Sequence, residues 1–269
     1  MSKKEELQKK IEELNIMDDS LFQKMAEDKE FCEEMISTIL TQKIKVIRVT
    51  SQNIVKNLQG RSVILDALCI LEDGRTCNVE VQKANDDNHE KRVRYNTSCI
   101  TANIMDPGTK FENVPEVIGI FISKFDMFKA GKSIYHIDRT VRETGNISDN
   151  GLQEIYVNTK VDDGTDIGKL MCIFKENDTY DFERFPKTST RKKHFLKEEG
   201  GREELSDILK WYAGEMIKEE SIEIARKFFE KGTEYAIVRA CVDKLSDEEL
   251  SEIYMEVIQK KEKENVIPV

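Results

Sequence analysis

The sequence contains few residues of several types, and each shortage excludes a class of protein. Among its 269 residues there are 4 prolines, 13 glycines and 1 tryptophan, which excludes collagen-like and Pro/Gly-rich low-complexity chains. A run of about 18 apolar residues, which a transmembrane helix requires, is missing. The first residues are charged and lack the apolar core of a signal peptide. We therefore expect a cytoplasmic protein with no membrane partner.

Motifs that depend on cysteine, histidine or glycine are missing as well. The six cysteines are scattered without CxxC spacing, which argues against a zinc cluster or a disulfide framework. The three histidines are too few and too dispersed for an evident zinc site or catalytic triad. The sequence contains no GxxxxGK[ST], GxGxxG, HExxH or GxSxG motif. We therefore expect no organic cofactor.

Charged residues are abundant but unevenly distributed. The 42 basic and 52 acidic residues give a net charge of −10, which argues against a simple basic coat for nucleic acid. Residues 1–40 carry −5 and residues 200–269 carry −6, whereas residues 41–115 carry +2. The central part of the chain is therefore the part that tolerates an anionic substrate.

The spacing of apolar residues predicts an α/β domain followed by helices. Steps of three and four residues indicate a helix over residues 21–40. Alternating or continuous apolar runs predict strands over residues 44–50, 62–71, 76–82, 114–123, 133–141 and 153–159. Other helices are predicted over residues 88–104, 166–176 and most of 203–263. We therefore divide the chain into a charged leader (1–17), an α/β domain (18–200) and a helical C-terminal extension (201–269).

Two carboxylates lie inside neighbouring apolar strands. Asp66 interrupts one strand and Glu80 the next, and an unpaired carboxylate in such surroundings costs several kcal/mol. A two-residue loop between the strands would place Asp66 opposite Val81 and turn Glu80 to the other face. A three-residue loop, ending at Gly74, would place Asp66 directly opposite Glu80.

In the second register Asp66, Glu80 and Gln82 share one face, because side chains alternate along a strand. Carboxylates whose Cβ atoms lie about 4.5–5.5 Å apart repel each other unless a cation lies between them. Oxygen ligands suit Mg²⁺ or Mn²⁺ rather than zinc. The amide of Gln82 would then orient water or phosphate. The alternative is a surface hairpin whose carboxylates are simply solvated.

Two basic segments are candidates for contact with nucleic acid. The helix over residues 88–104 follows Lys83 and carries Arg92 and Tyr95, which are neighbours on a helix surface. Arg92 is the candidate for holding a phosphate, with Tyr95 beside it. The sharpest basic run is Arg191, Lys192 and Lys193. For both segments the alternative is an ordinary solvated surface.

These motifs resemble those of the PD-(D/E)xK nuclease superfamily, and most closely its transposase-like branch, the recombination-promoting nucleases of bacteria. Asp66 matches the strand that carries the first metal-binding acid. Glu80-Val81-Gln82 matches the ExQ of the branch, where Gln replaces the superfamily lysine. Arg92 and Tyr95 match its Arg-x-x-Tyr-type helix. The resemblance covers about residues 18–200.

The resemblance implies a restriction-endonuclease-like mixed β-sheet flanked by helices, and metal-dependent hydrolysis of DNA phosphodiester bonds. It implies that Asp66 and Glu80 bind Mg²⁺ (or Mn²⁺), and that an acid of the first helix, for which Glu34 is our candidate, is a further ligand. DNA is then the expected partner and DNA recombination the expected process.

Two other functions stay open. Because Gln82 stands in the lysine position, a catalytically weak nucleic-acid-binding or regulatory protein on the same fold is the first alternative. The second is an unrelated α/β scaffold that acts through its acidic helices. The charge of these helices favours packing or self-association over DNA contact, so we expect a homo-oligomer formed through them.

Overall fold

The computed structural model describes residues 8–9, 11–55, 63–105 and 108–265. The chain forms two compact units, Met1–Ser206 and Asp207–Val269, so the division that we expected at residue 200 lies slightly later in the chain. Among the described residues, no helix is long and apolar enough to span a membrane.

The first unit is built on a mixed sheet of six strands. They are β1 (Val46–Val55), β2 (Val63–Leu71), β3 (Thr76–Gln82), β4 (Val117–Ser123), β5 (Ile134–Ile137) and β6 (Leu152–Asn158), in the order β1-β2-β3-β4-β6-β5. β2 is antiparallel to both β1 and β3, β4 runs parallel to β3 and β6, and β5 is antiparallel to β6. Every residue of β4 is buried, as its continuous apolar run predicted.

Helices pack on this sheet. They are α1 (Asp19–Ala26), α2 (Lys29–Leu40), α3 (His89–Ile104), α4 (Asp166–Lys175) and α5 (Pro186–Lys197), with a short 3₁₀ turn at Phe111–Asn113. The segment expected to be a charged leader contributes Ile11, Ile16 and Met17 to the buried core. Its apolar residues, rather than its charges, therefore decide where it lies.

The prediction of a single helix over residues 21–40 is wrong, because the helical conformation is interrupted between α1 and α2. Asp28 has extended backbone angles, and its side chain accepts hydrogen bonds from Glu30 N at 2.7 Å and Phe31 N at 3.1 Å. These N–H groups have no partner inside α2, and an N-cap aspartate satisfies them. The apolar period continues through the break, which is why periodicity alone did not detect it.

The remaining helices are α6 (Glu199–Glu230), α7 (Tyr235–Cys241) and α8 (Asp247–Asn265). The second unit has its own core, which includes Phe229, Val238 and Leu250. A capping box opens α8: Glu249 N donates to Ser246 Oγ at 3.2 Å, and Ser246 N donates to Glu249 Oε2 at 2.9 Å. The mixed α/β class and the helical C-terminal extension are confirmed.

A glycine in the central strand allows α3 to lie close to the sheet. A Cβ atom at Gly119 would lie 2.9 Å from Thr97 Cγ2 and 3.4 Å from Val93 Cγ1. The Thr97 side chain is held in place, because its hydroxyl donates to Val93 O at 2.9 Å. Gly119 therefore sets the distance between the sheet and the helix that carries Arg92.

We expect Gly119→Ala to lower the free energy of unfolding by about 1–3 kcal/mol, because α3 or β4 must shift to accommodate the methyl group. Gly200→Ala is the matched control, since a Cβ at this helical position meets no atom within 4 Å. An alanine there should leave stability unchanged or raise it by up to about 1 kcal/mol. Urea unfolding of both variants measures the difference, and equal effects would contradict the assigned packing.

Candidate active site

The β2–β3 hairpin brings Asp66 and Glu80 together. Its ladder pairs Ala67 with Val79, which is the register of a three-residue loop. Gly74 ends that loop with φ at +91°, in the left-handed region that glycine adopts without strain. The three-residue alternative is therefore confirmed. The ladder ends at the Ala67–Val79 pair, and beyond it Val81 N donates to Asp66 Oδ2, which holds Asp66 beside Glu80.

Both carboxylates accept hydrogen bonds from the hairpin. Asp66 Oδ2 accepts from Val81 N at 2.9 Å, and Glu80 Oε1 accepts from Asn78 Nδ2 at 2.9 Å. Glu80 is 3% exposed, whereas Asp66 is half-buried. Glu80 Oε2 is buried and accepts no hydrogen bond within the described part of the chain. One oxygen of Glu80 is thus fixed, and the other is open to a further ligand.

Burial and mutual repulsion disfavour ionisation of both acids. Burial raises the pKa of Asp66 well above its usual value, and the charge of Glu80 adds to this shift. Burial also raises the pKa of Glu80, against the hydrogen bond from Asn78 and the charge of Arg92. Because two carboxylates this close titrate as a pair, a cation between them would stabilise both ionised forms.

Arg92 of α3 connects Glu80 with Gln82. Its Nη1 donates to Gln82 Oε1 at 3.3 Å, and its Nη2 lies 3.6 Å from Glu80 Oε2. Tyr95, three residues later on the helix, packs half-buried against Val63 and its neighbours. The structure therefore brings all four of the residues taken from the ExQ and Arg-x-x-Tyr motifs to one end of the sheet.

The helix acid near the site is Asp19 rather than Glu34. The charge of Asp19 contributes to the raised pKa of Asp66. Desolvation raises the pKa of Asp19 itself, and the nearby Lys83 opposes that shift. Lys83 forms an ion pair with Asp18, so it too lies at this end of the sheet.

Glu34 instead holds the start of α5, which corrects our expectation that it is a metal ligand. Its Oε1 accepts from Lys187 N at 3.1 Å and its Oε2 from Thr188 N at 2.8 Å. These N–H groups belong to the first turn of α5 and have no helical partner. Both carboxylate oxygens are therefore already used, away from Asp66.

Two of the three residues of the basic run on α5 bind carbonyl oxygens inside the protein. This corrects our prediction that the run contacts nucleic acid. Arg191 Nη2 donates to Lys24 O at 2.6 Å and thereby closes the end of α1. Lys192 is 0% exposed and donates from Nζ to Ile173 O at 2.9 Å. Burial lowers the pKa of Lys192 to about 8. Lys193 is the exposed member of the run.

A family comparison agrees with this geometry. The family described as PD-(D/E)XK nuclease family transposase matches residues 6–162, a segment that includes the β2–β3 hairpin and α3. The chain belongs to this family. No curated protein and no solved structure matches it significantly. Membership of the PD-(D/E)XK transposases confirms the resemblance and, with the mixed sheet and flanking helices, the restriction-endonuclease-like fold.

PD-(D/E)XK nucleases generally use divalent metal ions, and the residues present fit such an ion. Glu80 Oε2 is a buried acceptor without a hydrogen bond inside the described ranges, and it lies on the same face as Asp66. Within those ranges no group of three His, Cys, Asp or Glu side chains is arranged to hold a metal. The oxygen atoms of Asp66 and Glu80 would be the protein's own donors for such an ion, and they suit a hard cation.

Sequence reasoning missed three residues near the site. Asn78 and Asn96 are 2% and 4% exposed, and both lie beside Glu80. Asn78 could have been found, because it precedes Glu80 by two residues and shares its face. Asn96 follows Arg92 by four residues and shares its helix side. Asp19 had no comparable signal among the many acids of residues 1–40.

Removing the charge of Asp66 should stabilise the metal-free protein. Because the folded-state pKa of Asp66 is raised, its contribution to stability is present at low pH and is lost as pH rises through that pKa. At pH 7 in EDTA we expect Asp66→Asn to raise the free energy of unfolding by about 0.5–2 kcal/mol, so that the variant melts at a higher temperature than wild type. The gain should shrink as pH is lowered towards 4.

Asp73→Asn is the control in the same hairpin. The hydrogen bond from Arg75 lowers the pKa of Asp73, so its stabilising contribution is present at neutral pH and is lost on acidification. This variant should therefore be no more stable than wild type at pH 7. A melting temperature of Asp66→Asn below that of wild type in EDTA would contradict the electrostatic assignment.

Proposed function

We propose that the protein is a DNA endonuclease that depends on Mg²⁺ or Mn²⁺ and hydrolyses phosphodiester bonds at the end of the β2–β3 hairpin. The observation that carries this proposal is the proximity of Asp66 and Glu80 on neighbouring strands, with Glu80 Oε2 lacking a hydrogen bond in the described chain. Family membership supports the reaction class. The expected role in recombination, the cytoplasmic location and a homo-oligomer formed through the C-terminal helices stay predictions.

Asp66 and Glu80 would hold the metal ion, with Asp19 as the neighbouring acid. A divalent ion held there supplies positive charge against the scissile phosphate and activates water for attack. Asn78 and Val81 N–H orient the two carboxylates through the hydrogen bonds described above. Arg92 is placed to bind a non-bridging oxygen of the phosphate, since its guanidinium carries more donors than Gln82 and Glu80 use.

Gln82 has a role that differs from that of a superfamily lysine. Its amide oxygen accepts a hydrogen bond from Arg92, so it fixes the guanidinium rather than supplying a positive charge itself. The cation at this place in the site then comes from α3. This arrangement supports catalysis without a lysine at position 82.

Nicking of supercoiled plasmid DNA tests the proposal. Wild type should convert the plasmid to the nicked form with Mg²⁺ or Mn²⁺ and should not do so in EDTA. Asp66→Ala and Glu80→Ala should each lose on the order of 10²-fold or more in rate, because metal-assisted charge stabilisation is worth several kcal/mol.

Asp73→Asn, on the exposed loop of the same hairpin, should retain the wild-type rate. Circular dichroism of each variant checks that it is folded. Undiminished nicking by folded Glu80→Ala would overturn the assigned site.

Introducing the superfamily lysine should reduce activity. In Gln82→Lys an ammonium would replace the acceptor that lies 3.3 Å from Arg92 Nη1, and the two cations would repel each other. We expect the nicking rate to fall about tenfold, which corresponds to roughly 1.4 kcal/mol.

The double variant Gln82→Lys with Arg92→Gln puts the cation at position 82 and the amide at position 92. It should be more active than Gln82→Lys alone, because the repulsion is removed while one cation stays in the site. A nicking rate of Gln82→Lys above wild type would show that Arg92 does not depend on Gln82.

One observation favours a second candidate, a nucleic-acid-binding protein without catalysis. The described residues contain no three-ligand metal group of His, Cys, Asp or Glu. Such a protein would bind DNA and fail to nick it with either metal. The plasmid assay, combined with a DNA-binding measurement, separates the two candidates.

A further inference from the structure

A groove of about 760 Å³ runs beside α3, between this helix and the start of β2. The residues of α3 that line it include Lys91, Arg92, Arg94 and Tyr95, and β2 contributes Val63 and Ile64. We call this feature the α3 groove. It lies outside the carboxylate pair, but it shares Arg92 with the site.

The helix side of the groove is cationic. Lys91 and Arg94 are exposed, and neither forms an ion pair with another residue in the described ranges. Arg92 is 39% exposed at its side chain. These three cations are opposed by a single acid among the lining residues, Asp87. The groove is therefore positively charged in a protein whose net charge is −10.

The strand side of the groove is apolar. Ile64 is 54% exposed, although it is a large aliphatic side chain. Val63 is buried beside it, and the half-buried ring of Tyr95 packs against the cluster that contains Val63. The groove thus offers an aliphatic and aromatic surface facing a row of cations.

The groove is continuous with the proposed site through Arg92 and Asn96, which both line it and both lie beside Glu80. Arg92 lines the groove, and its Nη2 lies 3.6 Å from Glu80 Oε2. A strand whose scissile phosphate lies at Arg92 would therefore continue past Lys91 and Arg94. Lys91 and Arg94 are three residues apart and are therefore neighbours on the surface of α3.

We propose that the α3 groove binds unpaired nucleotides of a DNA strand next to the scissile phosphate. This proposal rests on the proposed nuclease function and names the form of its substrate. Lys91 and Arg94 contact the phosphates, and Ile64 and Tyr95 contact the faces of the bases.

The combination of the two surfaces favours an unpaired strand over a duplex. A duplex presents phosphates to the protein and keeps its base faces stacked inside, so the apolar side would have no base to contact. Grooves for single strands combine cations that follow the backbone with side chains that contact base faces. The aromatic ring of Tyr95 opposite these cations matches that combination, and the exposed Ile64 extends the apolar surface beside it.

Fluorescence anisotropy in EDTA tests binding without cleavage. The probe is a fluorescein-labelled DNA oligonucleotide of about 12 nucleotides, within the range that single-strand sites cover, used alone or annealed to its complement. Wild type should bind the single strand at least about fivefold more tightly than the duplex. Ile64→Ala should weaken single-strand binding about fivefold and leave duplex binding unchanged.

Two matched controls lie on the same unit. Ile47 on β1 is 60% exposed and does not line the groove, so Ile47→Ala should bind both probes like wild type.

The phosphate contacts are tested by the salt dependence of single-strand binding. The double variant Lys91→Gln with Arg94→Gln should reduce the slope of log affinity against log salt concentration by about 0.7 per residue replaced. Lys110→Gln, at a side chain that is 78% exposed outside the groove, should not change that slope.

Equal affinity for the two probes would overturn the proposal, as would a failure to bind either probe or an Ile64→Ala variant that binds like wild type. Those results leave the nuclease proposal standing if plasmid nicking depends on metal and on Glu80. Conversely, selective single-strand binding by a protein that never nicks DNA supports the groove and overturns the nuclease proposal.

Discussion

The opposition of Asp66 and Glu80 across the β2–β3 hairpin is the constraint on which the rest of the site depends. A three-residue loop fixes the register, and the apolar strands hold both carboxylates in surroundings that disfavour their charge. In the folded protein without a cation, these surroundings and any repulsion between the two charges therefore disfavour the simultaneous ionisation of Asp66 and Glu80. The nearby hydrogen bonds from Asn78 and Val81 limit this repulsion but do not remove it. Binding of a cation is the change that would relieve it.

Helix α3 supplies the cation that lies beside Glu80 of the hairpin. Gly119 allows the helix to lie close to the sheet, and this position brings Arg92 to Glu80 and Gln82. The glutamine in the lysine position supplies no positive charge of its own. The guanidinium of Arg92 comes from a neighbouring helix. The residue type at position 82 alone therefore does not show whether the site carries a positive charge. The same helix presents Lys91 to the adjacent groove.

Two basic segments that look alike in the sequence have different roles in the fold. Lys91 and Arg94 lie on the outer side of α3 and reach solvent. Arg191 and Lys192 bind carbonyl oxygens that the ends of α1 and α4 leave without helical partners. Composition counts all of them as cations. Only packing distinguishes a cation that offers its charge to a ligand from one that completes a helix end.

The sequence by itself predicted the strands and reduced the hairpin register to two alternatives, one of which puts Asp66, Glu80 and Gln82 on one face. The structure selected that register. These features follow from alternation and from the length of a loop, which are local properties of the chain. Only the tertiary structure decided that Asp19 rather than Glu34 approaches the site, and that Lys192 is internal. Both outcomes depend on which distant helix end a side chain meets. Spacing along the chain does not encode such contacts, because they arise when separate helices pack on one sheet.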